Sequence, residues 1–367
     1  MYRTRWFYWP ILLIIDALGY LLVFPIKFLN KKQFPKNPKK ILVVRLDHLG
    51  DMILTSPFFK NLKRNFPNAE IYVLCRKMCK PIAELIPGID KILVLNTPWF
   101  SRGDSEGWFA VFKFVRKFWK HFDLVFELHT DPRNILLDRF VGKYLIGYGN
   151  RGFGFLLDKK CEWELKYIAH QYLDLLKECG INVRCKHLIL KFDGNLIKNL
   201  KSNLFPKNQI SVLIHPLTST QARNWFWDEW KKIIKHLAKI PNIKILIGGS
   251  LNDANLIKRN LSDLQFKNLA YIAGKFNLYE YCHLISLVDL VITVDTFVAH
   301  VGAATNRPTI VIQSGTEPLI EKNPCKSTVF LFQGKCPKIP CGKSFCRRKI
   351  CMQNLTDKII KKIDELL

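Results

Sequence analysis

The chain has 367 residues, 49% hydrophobic and 24% charged, which excludes a disordered chain and suggests about two domains. A mean hydropathy of +0.02 excludes a polytopic membrane protein. Lysine and arginine total 57 against 30 acidic residues, and the net charge of +27 calls for an anionic partner: nucleic acid, acidic lipid or a phosphorylated substrate.

In chain order, residues 6–24 read WFYWPILLIIDALGYLLVF, about the length that crosses a hydrocarbon core. Asp16 interrupts the run and would cost roughly 2.5–3.5 kcal/mol at mid-bilayer. An interfacial helix or shallow re-entrant hairpin with Asp16 turned to the headgroups therefore competes with a true span, and a buried core helix is the remaining reading. Lys27, Lys31, Lys32, Lys36, Lys39 and Lys40 follow the segment, against Arg3 and Arg5 before it, so the bulk of the chain is expected on the cytoplasmic side. Residues 1–38 are expected to be a membrane-associated helix and a proline-containing linker, with anionic inner-membrane lipid as partner.

From Lys39 the pattern changes to an α/β alternation. Within KKILVVRL, ILVV is a short apolar run of the kind that forms a buried parallel strand. A turn, Asp47-His48-Leu49-Gly50-Asp51, leads to a helical stretch over Met52–Asn65. Further strand runs are expected at Glu70–Cys75, Lys91–Leu95, Asp123–Leu128 and Tyr144–Tyr148, separated by helical segments. A second series opens at Ile210–His215 and continues through Ile243–Ile247, Asp289–Val294 and Thr309–Gln313. Such alternation predicts two doubly wound, Rossmann-like domains facing a cleft, over residues 39–208 and 209–352. Ligands in these sheets sit beyond the carboxyl ends of the strands. The segments expected there are Asp47–Asp51, Glu127–Arg133, Thr218–Arg223 and Asp295–His300.

G-x-G-x-x-G and G-x-x-x-x-G-K-[ST] are both absent, which removes the dinucleotide fingerprint and the P-loop NTPases. Asp51 reads either as a helix-start carboxylate or as a functional group at the mouth of the first domain. Asp295-Thr296 ends a strand at the start of a helix, where free N–H groups and the helix dipole favour an anion. His300, one turn along, is placed to reach the same anion, and Arg223 beside Thr218, Ser219 and Thr220 is placed to clamp it. Capping and core packing are the competing readings of these residues. No Asp-x-Asp pair is present, so a diphosphate leaving group would rely on cations, hydroxyls and a helix N-terminus in place of a metal.

ILVVRLDHLGDMILTSPFFKNLKRNFPNAEI, IHPLTSTQARNWFWDEWKKII and LAYIAGKFNLYEYCHLISLVDLVITVDTFVAHVGAATNRPTIVI together resemble glycosyltransferase family 9, the bacterial lipopolysaccharide heptosyltransferases. The resemblance runs from about Lys39 to Leu367. It implies a GT-B fold, with the acceptor on the first domain, the nucleotide sugar on the second, and no cofactor. It also implies inverting, metal-independent transfer of heptose, from ADP-heptose, to the lipid A–core acceptor in lipopolysaccharide biosynthesis at the cytoplasmic face of the inner membrane. By position, Asp51 matches the family's proposed catalytic base. Arg223 matches a basic diphosphate ligand, and Asp295, Thr296 and His300 match the donor-binding run. Two departures stand out: Phe297-Val298 after Asp-Thr is expected to narrow the donor pocket, and Leu217 where glycine is common leaves open a donor sugar or nucleotide other than ADP-heptose. The family further implies that the last helix, within residues 353–367, returns to the first domain.

Cys336, Cys341, Cys346 and Cys351 recur at every fifth residue without a C-x-x-C pair, so reduced thiols or disulfides are favoured over a zinc site, and the family resemblance implies a structural cluster near the tail. The alternative functions are a GT-B enzyme with another nucleotide-sugar donor and a non-catalytic, membrane-bound lipopolysaccharide-binding protein. Nucleic acid is set aside as a partner, because the charge is spread along the chain and no recognised binding motif accompanies it.

Overall fold

The computed structural model describes residues 9–29, 32–100, 103–205, 208–322, 324 and 326–367. Residues 1–8, with the Arg3 and Arg5 flank of the apolar segment, lie outside the described residues. The chain divides into two compact units, Met1–His187 and Leu188–Leu367.

The first unit opens with α1 (Trp9–Leu29), followed by β1 (Lys40–Arg45), α2 (Leu49–Leu54), α3 (Ser56–Asn65), β2 (Glu70–Cys75), α4 (Lys80–Ala83) and β3 (Lys91–Val94). It continues through α5 (Gly107–Lys117), β4 (Phe122–Glu127), α6 (Pro132–Val141), β5 (Gly142–Gly147), β6 (Lys159–Lys160) and α7 (Ile168–Glu178). The second unit contains α8 (Gly194–Leu204), β7 (Ile210–His215), α9 (Trp227–Leu237), β8 (Ile243–Ile247), α10 (Leu251–Leu261), β9 (Leu269–Tyr271) and α11 (Leu278–Ile285). It ends with β10 (Leu290–Val294), α12 (Phe297–Ala304), β11 (Thr309–Ile312), α13 (Leu319–Lys322), β12 (Val329–Phe332) and α14 (Thr356–Leu366).

Every strand pairing in both sheets is parallel. The sheet orders are β3-β2-β1-β4-β5-β6 and β12-β11-β10-β7-β8-β9. Counted from each unit's own first strand, both are 3-2-1-4-5-6, the Rossmann order. The topological switch points therefore fall between β1 and β4 and between β7 and β10. The central strands are buried on both faces, as expected for parallel sheets covered by helices. Helices α5 and α6, with the turn at residues 153–157, cover one face of the first sheet through Val111, Phe114, Ile135, Val141 and Leu157.

Three expectations change with tertiary packing. First, α8 belongs to the second unit although it precedes β7, because it packs beside α11 and the Asp193 N–H donates to His283 Nε2 at 2.8 Å. Second, α14 packs on α9 within the second unit. Its Ile359 and Ile363 enter the core with Trp230 and Ile233, Thr356 bonds Glu229, and His236 meets Asp364 at 2.7 Å. Third, Asp16 does not face outward. It is buried, accepting the Phe153 N–H at 2.7 Å, and among the described residues no helix is long and apolar enough to cross a membrane.

Candidate active site

At the mouth of the first sheet, β1 ends in Arg45, a cation buried inside an otherwise apolar strand. Its Nη2 lies 2.7 Å from Asp47 Oδ2 and 3.4 Å from Asp51 Oδ1. Its Nη1 donates to the Leu128 carbonyl at 2.7 Å, and the guanidinium sits 4.9 Å from the centre of the Tyr172 ring. Burial by itself would lower the Arg45 pKa, but Asp47, Tyr172 and Asp51 outweigh it and hold the group firmly charged. A buried cation of this kind fixes the carboxylates around it, because leaving either charge unpaired would be costly.

Asp51 stands at the third position of α2, where a carboxylate favours the helix dipole. The N-cap itself is His48, whose side chain makes no cap bond, so the simple capping reading of Asp51 does not hold. The Asp51 side chain is 14% exposed against 6% for Asp47, which makes Asp51 the more accessible carboxylate of the pair.

The β4 end contributes the other wall. His129 Nδ1 accepts the Asp131 N–H at 3.1 Å, leaving Nε2 to carry the proton, 4.0 Å from Asp47 Oδ2. Burial first, then Arg45 and Arg151, push His129 down to about 3, so the ring is neutral at physiological pH. Asp131 caps α6 by accepting the Arg133 N–H at 2.9 Å, and it also takes Arg133 Nε at 2.8 Å and Nη2 at 2.6 Å. Beneath this wall, Glu127 and Asp138 are fully buried. Burial and the neighbouring Asp138 charge raise Glu127 well above the usual carboxylate range, and burial raises Asp138 to about 7, so the pair retains a proton.

The mouth of the second sheet is built differently. Thr296 is the N-cap of α12 and accepts the Val298 N–H at 3.1 Å, which leaves the first turn of that helix beside the β10 end. Asp295, buried, accepts from Gln313 Nε2 at 3.2 Å and lies 3.5 Å from Arg223 Nη1. Arg223 Nε donates to Thr316 Oγ1 at 3.1 Å, and its Nη2 pairs with Glu317 at 2.9 Å. His300 is buried one turn into α12. Thr218 is held through its N–H by Asn224 Oδ1 at 2.7 Å, Ser219 is exposed, and Thr220 opens the short turn carrying Arg223 without a side-chain cap.

The predicted residues thus gather in two groups: Asp51 in the first unit, and Arg223 with Asp295 and Thr296 in the second. The departures from the family pattern split. Leu217 and Val298 are buried in the fold, whereas Phe297 is half-buried beside His215 and Tyr281. Sequence reasoning missed Arg45 and Tyr172, although a lone arginine closing an apolar strand was a readable signal. Gln313, Thr316 and Glu317 carry no signal of their own, because the Ser-Gly-Thr-Glu loop after β11 follows no motif and meets Arg223 only through the fold.

The cysteine-bearing tail supports that last loop. Cys351 Sγ accepts the Gly315 N–H at 3.2 Å, Cys341 N–H reaches the Gly315 carbonyl at 2.9 Å, and Gly342 N–H reaches the Thr316 carbonyl at 2.9 Å. Cys346 Sγ accepts the Lys349 N–H at 3.4 Å. Cys336, Cys341, Cys346 and Cys351 are free thiols. Among the described residues, no group of three or more His, Cys, Asp or Glu is arranged to hold a metal ion.

Residues 164–350 match the sequence model of glycosyltransferase family 9 (heptosyltransferase). The chain is 24% identical over 312 residues to lipopolysaccharide heptosyltransferase 3 of Escherichia coli K12, covering 82% of this chain and 90% of that protein. It is 24% identical over 352 residues to lipopolysaccharide heptosyltransferase 1 of Campylobacter coli, covering 89% and 98%. The solved structure of the E. coli ADP-heptose lipopolysaccharide heptosyltransferase II superposes with a TM-score of 0.70 at 16% identity, over 89% of this chain and 98% of that one. Two parallel six-stranded sheets in Rossmann order, matched over nearly the full length by such structures, make the fold GT-B. The chain belongs to glycosyltransferase family 9, the heptosyltransferases.

Proposed function

We propose that this glycosyltransferase moves heptose from ADP-heptose to the lipid A–core acceptor of lipopolysaccharide, with inversion and without a metal, at the cytoplasmic face of the inner membrane. One observation carries the reading: the same switch point, present in both units, offers a carboxylate held by a buried arginine in the first and a helix N-terminus with an arginine in the second. Lipopolysaccharide heptosyltransferases as relatives, and a related structure described with ADP, support the donor and acceptor classes.

In this mechanism Asp51 accepts the proton of the acceptor hydroxyl as that oxygen attacks the anomeric carbon. The new glycosidic bond forms while the bond from that carbon to the diphosphate oxygen breaks on the opposite face. ADP leaves with the electron pair. Its developing charge meets Arg223 and the positive end of the α12 dipole, with Thr218, Ser219 and Thr220 offering hydroxyl donors. Asp295 and Glu317 suit sugar hydroxyls, which donate to carboxylates, better than they suit phosphate. His300, buried one turn into α12, is proposed to reach the same donor.

A second reading, a different nucleotide-sugar donor, is favoured by Phe297, whose ring stands half-buried beside the second mouth. The deciding experiment incubates the purified protein with a panel of nucleotide sugars and lipid A–core acceptor, with and without EDTA. ADP release with ADP-heptose alone, unchanged by EDTA, is expected. Turnover that needs added Mg²⁺, or a clear preference for another donor, would overturn the corresponding part of the reading.

A further inference from the structure

Helix α1 is docked with its polarity inverted. Its inward face presents Asp16 to the Phe153 N–H, Gly19 to the Phe155 ring, Leu12 to Gly152 and Lys27 to the Leu157 carbonyl. A side chain at Gly19 would collide with that ring, so the close approach requires glycine. The outward face carries Ile11, Ile14, Leu18, Leu21 and Leu22, with Leu21 71% exposed. A helix that buries its one carboxylate and exposes its leucines is not made for water.

Helix α5 repeats the theme on the same side of the first sheet. Val111, Phe114 and Phe118 face the core, while Trp108, Phe109 (78% exposed) and Phe112 face out. Lys113, Arg116 and Lys117 share that outer surface. Trp119, also exposed, lies against Phe140 of α6, and α6 in turn touches the 153–157 turn on which α1 rests. The only carboxylates in α1, α5 and α6 are Asp16 and Asp138, and both are buried. At the rim, a cavity of about 660 Å³ is lined by Lys32, Lys39, Lys120 and Lys143 with Asp123 and Tyr144. It lies at the amino ends of β4 and β5, the opposite end of the sheet from Asp51.

We infer that the outer surfaces of α1, α5 and α6 form one face that docks into an anionic bilayer, with α1 lying in the plane of the interface and the lysine-lined cavity receiving a lipid phosphate. This rests on the membrane location proposed above and specifies the surface that achieves it. Aromatic side chains with interleaved cations, and no exposed carboxylate within the three helices, match the headgroup–acyl boundary of acidic lipid, with the exposed Asp104 and Glu106 confined to the loop that starts α5. A second copy of the chain would set these cations against like charge, which disfavours self-association through this face.

The test uses the full chain with vesicles of phosphatidylcholine alone or with 30 mol% phosphatidylglycerol, at low salt and in 0.5 M NaCl. Wild type should co-sediment with the anionic vesicles and stay bound in high salt. Two triple variants, Trp108→Ser/Phe109→Ser/Phe112→Ser and Leu18→Ser/Leu21→Ser/Leu22→Ser, should each weaken binding at least tenfold. Unchanged thermal melting and unchanged transfer to a detergent-free, truncated core acceptor should accompany that loss. Variants that bind like wild type would overturn the inference, as would binding abolished by salt in wild type. So would a wild-type dimer that the same substitutions dissolve. If vesicle binding responds as expected while no donor supports transfer, the functional reading fails and the docking face stands; the reverse pattern removes only the docking face.

Discussion

The two units share one strand order yet build opposite mouths at the same switch point. In the first, one buried arginine is ringed by acids and an aromatic face: Arg45 with Asp47, Asp51 and Tyr172. In the second, a capped helix start is flanked by Arg223, itself held between Asp295, Thr316 and Glu317. The first arrangement suits the proposed proton acceptance, because a carboxylate fixed in place and partly exposed is what a general base requires. The second suits a diphosphate and the sugar attached to it. Topology supplies the location, and the residues at the strand ends supply the chemistry.

The largest expected effect separates the two mouths cleanly. Asp51→Asn keeps size and polarity but cannot take a proton, so turnover should fall by roughly 10²–10⁴. Binding of ADP, measured by calorimetry, should be unaffected because the nucleotide contacts proposed above belong to the other unit. Near-normal turnover with a lowered melting temperature would reduce Asp51 to a structural carboxylate.

Arg223→Ala should do the reverse and weaken ADP binding by about 1.5–3 kcal/mol, the usual value of a hydrogen bond to a charged group. Removing Arg223 also frees Asp295 and Glu317 as unbalanced charges, so Arg223→Lys should recover part of the loss. ADP affinity unchanged in Arg223→Ala would leave the second mouth without its proposed phosphate clamp.

Thr296→Ala removes the α12 cap and should cost about 0.5–2 kcal/mol of stability. Chemical unfolding would measure it, and a shift within error would mean that the cap bond contributes nothing.

A further prediction concerns pH. Asp138 is raised to about 7 in the folded state, so the folded chain binds more protons than the unfolded chain between about pH 4 and 7. Its contribution is fully present below the unfolded pKa and is lost as pH rises through 7. Asp138→Asn should therefore gain stability relative to wild type on going from pH 5 to pH 8. A urea midpoint difference that stayed constant, or reversed, would contradict the shared-proton description of Glu127 and Asp138.

Much of the fold was legible because parallel strands buried on both faces must be nearly all apolar, and short runs such as ILVV and SVLI have no other role. The short strands at Lys159–Lys160 and Leu269–Tyr271 were not legible, since edge strands carry too few residues to show a pattern. Asp51, Asp295 and Thr296 were readable because each follows a strand and opens a helix. Thr316, Glu317 and Tyr172 were not, because their place at a mouth depends on a loop after β11 and on a helix more than a hundred residues from Asp51.

Residue order alone determined the two α/β series, the basic surface and the family. Tertiary packing decided that α8 and α14 join the second unit, since their apolar and capping residues find partners on α11 and α9. It also decided what Asp16 means. In the sequence, Asp16 interrupts an apolar run and reads as a penalty. In the fold, a backbone N–H of Phe153 satisfies it, which turns the leucines of α1 outward. A hydrogen-bond partner 137 residues away sets which face of a helix is buried, and local sequence carries no record of that distance.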